Sequence, residues 1–296
     1  YEEQIKILNK HDKLVQIPTT YENNYKVTSL QLDKVLKKYH SKKKLIIFNN
    51  PNNPTGIMYN KEEIVSLGHI LHKHNCIVLA DEIYKNIHHF NEFYSISNII
   101  PHLTIRGNSV SKDLACGGYR LGWITFPKEL FELYNLSKSI ASSIYSCTCV
   151  PIQYGLSNFM KDSVSLQNYL NWVNRIYLIF CNKAVECLNN TELLYIKPNS
   201  SWYIFLDFRN YADKLKEKYN VNNSIELTNI LTNKIGFIGV AGKYFGHNGL
   251  CVRISLIDID MTKLEFLSNN ENDIKLSCHR IITGLKKLTN FLNTIN

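Results

Sequence analysis

From residue 29 to residue 126, short apolar runs alternate with longer amphipathic ones, and this restricts the architecture more than any other feature of the sequence. Residues 29–38 place apolar side chains at helical spacing, and 44–49 is an apolar run of strand length. A helix is expected at 61–74, a second buried strand at 76–80, and two more strands at 103–107 and 121–126. A short strand is also expected at 14–18, Leu-Val-Gln-Ile-Pro. Apolar strands separated by helices predict an α/β fold with a mainly parallel sheet flanked by helices on both faces. In such sheets a ligand lies beyond the carboxyl ends of the strands, so the residues just after each strand are the ones to inspect.

Three strand ends are informative. After 44–48 comes Asn49-Asn50-Pro51-Asn52-Asn53-Pro54-Thr55-Gly56, which is at least a proline-directed turn, and Asn53 could aim its amide at a ring hydroxyl or a carboxylate. After 76–80 comes Asp81-Glu82-Ile83-Tyr84. An acid there commonly caps a helix or pairs with a base; alternatively Asp81 holds a pyridine nitrogen protonated while Tyr84 donates to the ring oxygen. After 103–107 comes Ser109-Val110-Ser111-Lys112, followed by Gly117, Gly118 and Arg120. Lys112 is an amine nucleophile with anion-binding groups on both sides, the equipment for a Schiff base with a phosphorylated aldehyde. Ser109, Ser111 and Arg120 can donate to the phosphate, and the glycines allow a tight turn between lysine and arginine. Taken alone, this segment also reads as a surface Ser-Lys turn.

The chain of 296 residues suffices for one large or two ordinary domains. Its net charge of +9 is spread through the sequence, apart from a lysine run at 37–44 that reads as a solvated helix end and loop rather than a nucleic-acid surface. Eight scattered cysteines show no metal spacing and read as reduced thiols, which favours a cytoplasmic setting. No apolar run is long enough to span a bilayer, and residues 1–8 do not have the pattern of a secretory signal.

Further along, 165–188 reads as one long helix with an apolar stripe suited to core packing. Residues 261–273 read as a polar loop and 274–292 as an amphipathic closing helix. The expected organisation is a cofactor-binding large domain at 1–164, a connecting helix at 165–188 and a small α+β domain at 189–296.

The segments NNPNNPTG (49–56), DEIY (81–84), SVSK (109–112), GGYRLGW (117–123) and CVRISL (251–256) occur in an order that resembles the class I/II aminotransferases of fold type I. The resemblance implies pyridoxal 5'-phosphate as cofactor and Lys112 as the Schiff-base lysine that moves the substrate proton. It further implies Asp81 at the pyridine nitrogen, Asn53 and Tyr84 at the O3' oxygen, and Ser109, Ser111 and Arg120 at the phosphate. Arg253, with Asn53 beside it, would hold the substrate carboxylate; taken alone, Arg253 could equally be a structural ion-pair residue. Residues 197–206 resemble the family's substrate mouth, and a homodimer acting on amino and 2-oxo acids is implied. A related lyase, of the carbon–sulfur or aminocyclopropane-carboxylate synthase type, would use nearly the same residues.

Two departures qualify that resemblance. Tyr1 matches a position inside the family's large domain, just after the aromatic residue that stacks on the cofactor. The lacking part would hold that aromatic, a glycine-rich phosphate loop and an N-terminal arm. Residues 1–296 alone are therefore expected to bind cofactor weakly, turn over poorly and aggregate, as a catalytically impaired fragment that keeps the fold. Residues 139–153 contain no Arg or Lys, which weakens a dicarboxylate assignment and leaves aromatic, sulfur-containing or small neutral amino acids open.

Overall fold

The computed structural model describes residues 1–89 and 92–295. In chain order the elements are α1 (Glu2–Ile7), α2 (Ser29–Lys37), β1 (Leu45–Asn49), α3 (Lys61–Lys73), β2 (Ile77–Asp81), β3 (Thr104–Ser109), β4 (Gly122–Thr125), α4 (Phe131–Ile144), α5 (Val150–Lys161) and α6 (Ser163–Leu188). They continue as β5 (Tyr203–Asp207), α7 (Ala212–Tyr219), α8 (Ser224–Ile235), β6 (Val240–Ala241), β7 (Cys251–Ser255), α9 (Glu271–Ser277) and α10 (His279–Ile295).

The first sheet has the order β1-β2-β3-β4, with β1, β2 and β3 parallel and β4 antiparallel at the edge. Val78 and Ala80 of β2 pack against Leu32 and Leu36 of α2 and Ile64, Leu67 and Leu71 of α3. Both helices begin at capping boxes, Thr28 with Gln31 and Asn60 with Glu63, in which each side chain bonds the other residue's backbone N–H. On the opposite face Ile77 and Leu79 are only partly buried.

The second sheet is antiparallel, β5-β7-β6. Its β5 is buried along its whole length, and Ile204 and Leu206 share one core with Ile176 and Phe180 of α6 and Leu288 and Leu292 of α10. A side chain of this type, fully buried, contributes about 1.5–3 kcal/mol.

Two expectations need correction. Residues 14–18 form no strand: no described segment pairs with them, Val15 and Gln16 are exposed, and Pro18 has no N–H for a ladder. The closing helix starts earlier and in two pieces, α9 and α10, which meet at Cys278. Asn270 caps α9 by accepting from the Asn272 N–H, so the polar loop ends there rather than at 273.

Candidate functional site

The register of the parallel strands sets Asn49, Asp81 and Gly107 side by side at one edge of the sheet. The asparagine-rich loop, the Asp81–Tyr84 segment and the Lys112 segment therefore leave the sheet together. Asn49, not singled out from the sequence, links two of them: its amide donates to the Asp81 carbonyl (3.3 Å) and its Oδ1 accepts from the Asn53 N–H (2.8 Å).

The loop that carries Asn53 is fastened to the second sheet. The Gly56 carbonyl accepts from the N–H groups of Asn199 and Ser200 (3.1 Å each) and from the Ser200 hydroxyl (3.0 Å). The Met58 N–H donates to Asn199 Oδ1 at 2.7 Å. Gly56 has φ +70°, and a Cβ there would lie 2.3 Å from the Tyr203 carbonyl oxygen, so both the left-handed conformation and the close approach require glycine. This seam brings Asn53 to Arg253, whose Nη1 donates to Asn53 Oδ1 at 2.9 Å.

Arg253 stands on β7 opposite Phe205. Its guanidinium carbon lies 4.6 Å from the centre of the Tyr203 ring and 5.1 Å from that of Phe245. Aromatic faces hold the planar group while leaving its in-plane donors available. Its Nε is buried and has no partner among the described residues. A buried cationic donor without an acceptor is costly, and a carboxylate would satisfy it.

Tyr84 is buried, its hydroxyl 2.9 Å from that of Tyr203 and its ring edge-on to Trp202. Burial, and then the neighbouring Tyr203, push its phenol well above the usual range, so it stays a neutral donor. The Lys112 amine lies 6.0 Å from the centre of the Tyr84 ring. Asp81 Oδ1 accepts from the Ile83 N–H (3.3 Å), and Oδ2 accepts from the Tyr1 hydroxyl. Asp81 thus presents one oxygen to a donor that comes from outside the sheet.

Ser109 and Ser111 are together, the Ser111 N–H donating to Ser109 Oγ at 3.1 Å. The Arg120 guanidinium is exposed and donates to the Gly117 carbonyl within its own turn (2.8 Å). No described contact joins it to either serine. Tyr203 and Phe245 were not named as site residues from sequence, although Tyr203 stands in the 197–206 segment that resembles the substrate mouth. Only the tertiary contacts show that they flank Arg253.

These residues fit a phosphorylated pyridine aldehyde: an amine for the aldehyde, an acid for the ring nitrogen, paired serines for the phosphate, and an unsatisfied guanidinium for a substrate carboxylate. A mainly parallel sheet with this site at the carboxyl ends of its parallel strands, joined to a small antiparallel sheet, has the fold type I architecture of pyridoxal-phosphate enzymes. The chain belongs to the class I and II aminotransferase family, whose model matches residues 5–267 and whose cofactor is pyridoxal 5'-phosphate.

Among its relatives, the glutamate-pyruvate aminotransferase AlaA of Escherichia coli is 32% identical over 179 residues, 59% of this chain and 44% of the relative. The aromatic-amino-acid aminotransferase 2 of Thermococcus litoralis is 28% identical over 242 residues, 80% of this chain and 58% of the relative. A solved aspartate aminotransferase of Thermus thermophilus superposes with a TM-score of 0.72 at 20% identity, covering 91% of this chain and 63% of that one, a likeness of fold. The chain spans about half the length of the curated relatives it matches.

Proposed function

We propose that this chain carries the cofactor and substrate site of an aminotransferase that moves an amino group between an amino acid and a 2-oxo acid. The observation that carries this reading is the Arg253–Asn53 contact, which sets an incompletely satisfied guanidinium beside the strand ends that hold Asp81, Tyr84 and Lys112.

When bound, pyridoxal 5'-phosphate supplies an electron-withdrawing ring that acidifies the substrate α-hydrogen. Lys112 would hold the cofactor and then carry the proton from the substrate α-carbon. Asp81 would accept the ring N–H at Oδ2 in place of the Tyr1 hydroxyl that bonds it in this structure, and Tyr84, kept neutral by burial, would donate to the O3' oxygen along with Asn53. Ser109 and Ser111 would donate to the phosphate, which Arg120 reaches by leaving the Gly117 carbonyl. Arg253 would grip the substrate carboxylate in a planar fork held between Tyr203 and Phe245.

A cytoplasmic homodimer is part of the same proposal. All eight cysteines are free thiols, four of them buried, and α4 and α5 expose an apolar face suited to a partner. Among the described residues no helix is long and apolar enough to cross a membrane.

Incubation of the cofactor-loaded protein with paired amino and 2-oxo acids tests the activity. Slow transfer of the amino group to the acceptor is expected of residues 1–296. Release of pyruvate and ammonia from a single substrate would instead establish the lyase chemistry.

A further inference from the structure

Asp113 follows Lys112 directly and is 5% exposed, an unusual setting for a carboxyl beside a reactive amine. Its Oδ2 accepts from the Asn86 side-chain amide at 2.6 Å, while Oδ1 has no partner among the described residues. Both ends of this contact sit in tight turns. On one side the Lys85 N–H bonds the Glu82 carbonyl (3.0 Å) and the Ile87 N–H bonds the Tyr84 carbonyl (2.9 Å), which holds Asn86 in the turn that carries Tyr84. On the other the Ala115 N–H bonds the Lys112 carbonyl (3.2 Å) and the Cys116 N–H bonds the Val110 carbonyl (3.0 Å). The Asn86–Asp113 bond is therefore a side-chain tie between the two strand-end segments that bear Tyr84 and Lys112.

Burial pushes the Asp113 carboxyl upward, against the opposing effect of the Asn86 bond. The ionisable groups around it are Lys85 in the Asn86 turn, Cys116 in its own turn, and Tyr169 of α6, whose phenol is raised to about 12 by burial first and then by Cys116 and Asp113.

We propose that Asp113 is a positioning residue: through Asn86 it fixes the Lys112 turn against the turn that carries Asp81 and Tyr84, and so sets the orientation and reactivity of the Lys112 amine. It touches neither cofactor nor substrate. The proposal rests on the reading of Lys112 as the cofactor lysine.

Reversal of the pair tests it. Asp113→Asn keeps an oxygen for the Asn86 amide and preserves the tie. Asn86→Asp sets two carboxyls against each other, and Asn86→Asp combined with Asp113→Asn rebuilds the bond with its polarity exchanged. Two readouts are used: the rate at which an amine-acylating reagent labels Lys112 in the cofactor-free protein, followed by mass spectrometry across pH, and the pH midpoint of the visible band of the cofactor-loaded protein.

Asn86→Asp is expected to change the labelling rate about tenfold or more and to move the midpoint by about one pH unit, with the double variant returning to within about threefold of the parent. Labelling and midpoint unaltered in Asn86→Asp, or a double variant no closer to the parent than the single one, would overturn the proposal. If Asn86→Asp fails to fold, the double variant decides alone: parental values support the tie and displaced values refute it. A visible band that persists in Lys112→Ala would instead sink the aminotransferase reading, independently of Asp113.

Discussion

Lys112, Asp81 and Arg253 contribute different things to the proposed site, and substitution separates them. Lys112→Ala removes the amine, so the visible band of the cofactor-loaded protein and its turnover should both vanish, and borohydride should fix the cofactor on Lys112 in the parent alone. Asp81→Asn keeps the shape but not the charge that would hold a ring nitrogen protonated. Single-turnover kinetics should show proton transfer slowed by about a hundredfold or more while cofactor still binds. Arg253→Lys retains a positive charge but loses the fork that reaches Asn53 and stacks between Tyr203 and Phe245. The KM for amino and 2-oxo acids should rise by about tenfold to a hundredfold, the usual effect of losing a hydrogen bond to a charged group. A KM equal to that of the parent would make Arg253 structural.

Among the elements, the loop between β1 and α3 carries the heaviest conformational demand. It must bring Asn53 to Arg253 across a gap of 200 sequence positions, and it does so by packing Gly56 onto the backbone of Tyr203. Gly56→Ala would meet that backbone at 2.3 Å in a left-handed conformation. The change should cost on the order of 2–4 kcal/mol by chemical unfolding, with a weakened carboxylate site in the protein that still folds. Stability equal to the parent would show that the seam can open without cost.

Over the whole molecule, burial is uneven. Around β5 the core is closed, whereas α4 and α5 have no buried residue and expose Leu136, Ile140, Ile144, Tyr154 and Phe159. An apolar face of this extent is unfavourable in water and marks a surface that associates. Light scattering should therefore show concentration-dependent self-association, reduced by Leu136→Glu together with Ile144→Glu at unchanged helical content. A particle that stays monomeric at every concentration would remove the basis for the proposed homodimer.

Much of the fold was legible in sequence because it depends on local chemistry. The apolar runs that became β1, β2 and β3 alternate with amphipathic runs that became α2 and α3, a pattern carried by neighbouring residues along the chain. The strand expected at 14–18 failed for the opposite reason: a strand exists only with a partner, and nothing within those five residues states whether one is available. The site divides in the same way. Lys112, Asp81, Tyr84, Asn53 and Arg253 could be named from short segments in a recognisable order. That Arg253 lies between Tyr203 and Phe245 with one donor unsatisfied, that Tyr84 is paired with Tyr203, and that Asn86 reaches Asp113 were decided by tertiary structure alone. Sequence determines which groups a chain carries and which local geometries they favour, while distances of a few ångströms between remote residues follow from strand register and from the seam that fastens the loop after β1 to the segment before β5.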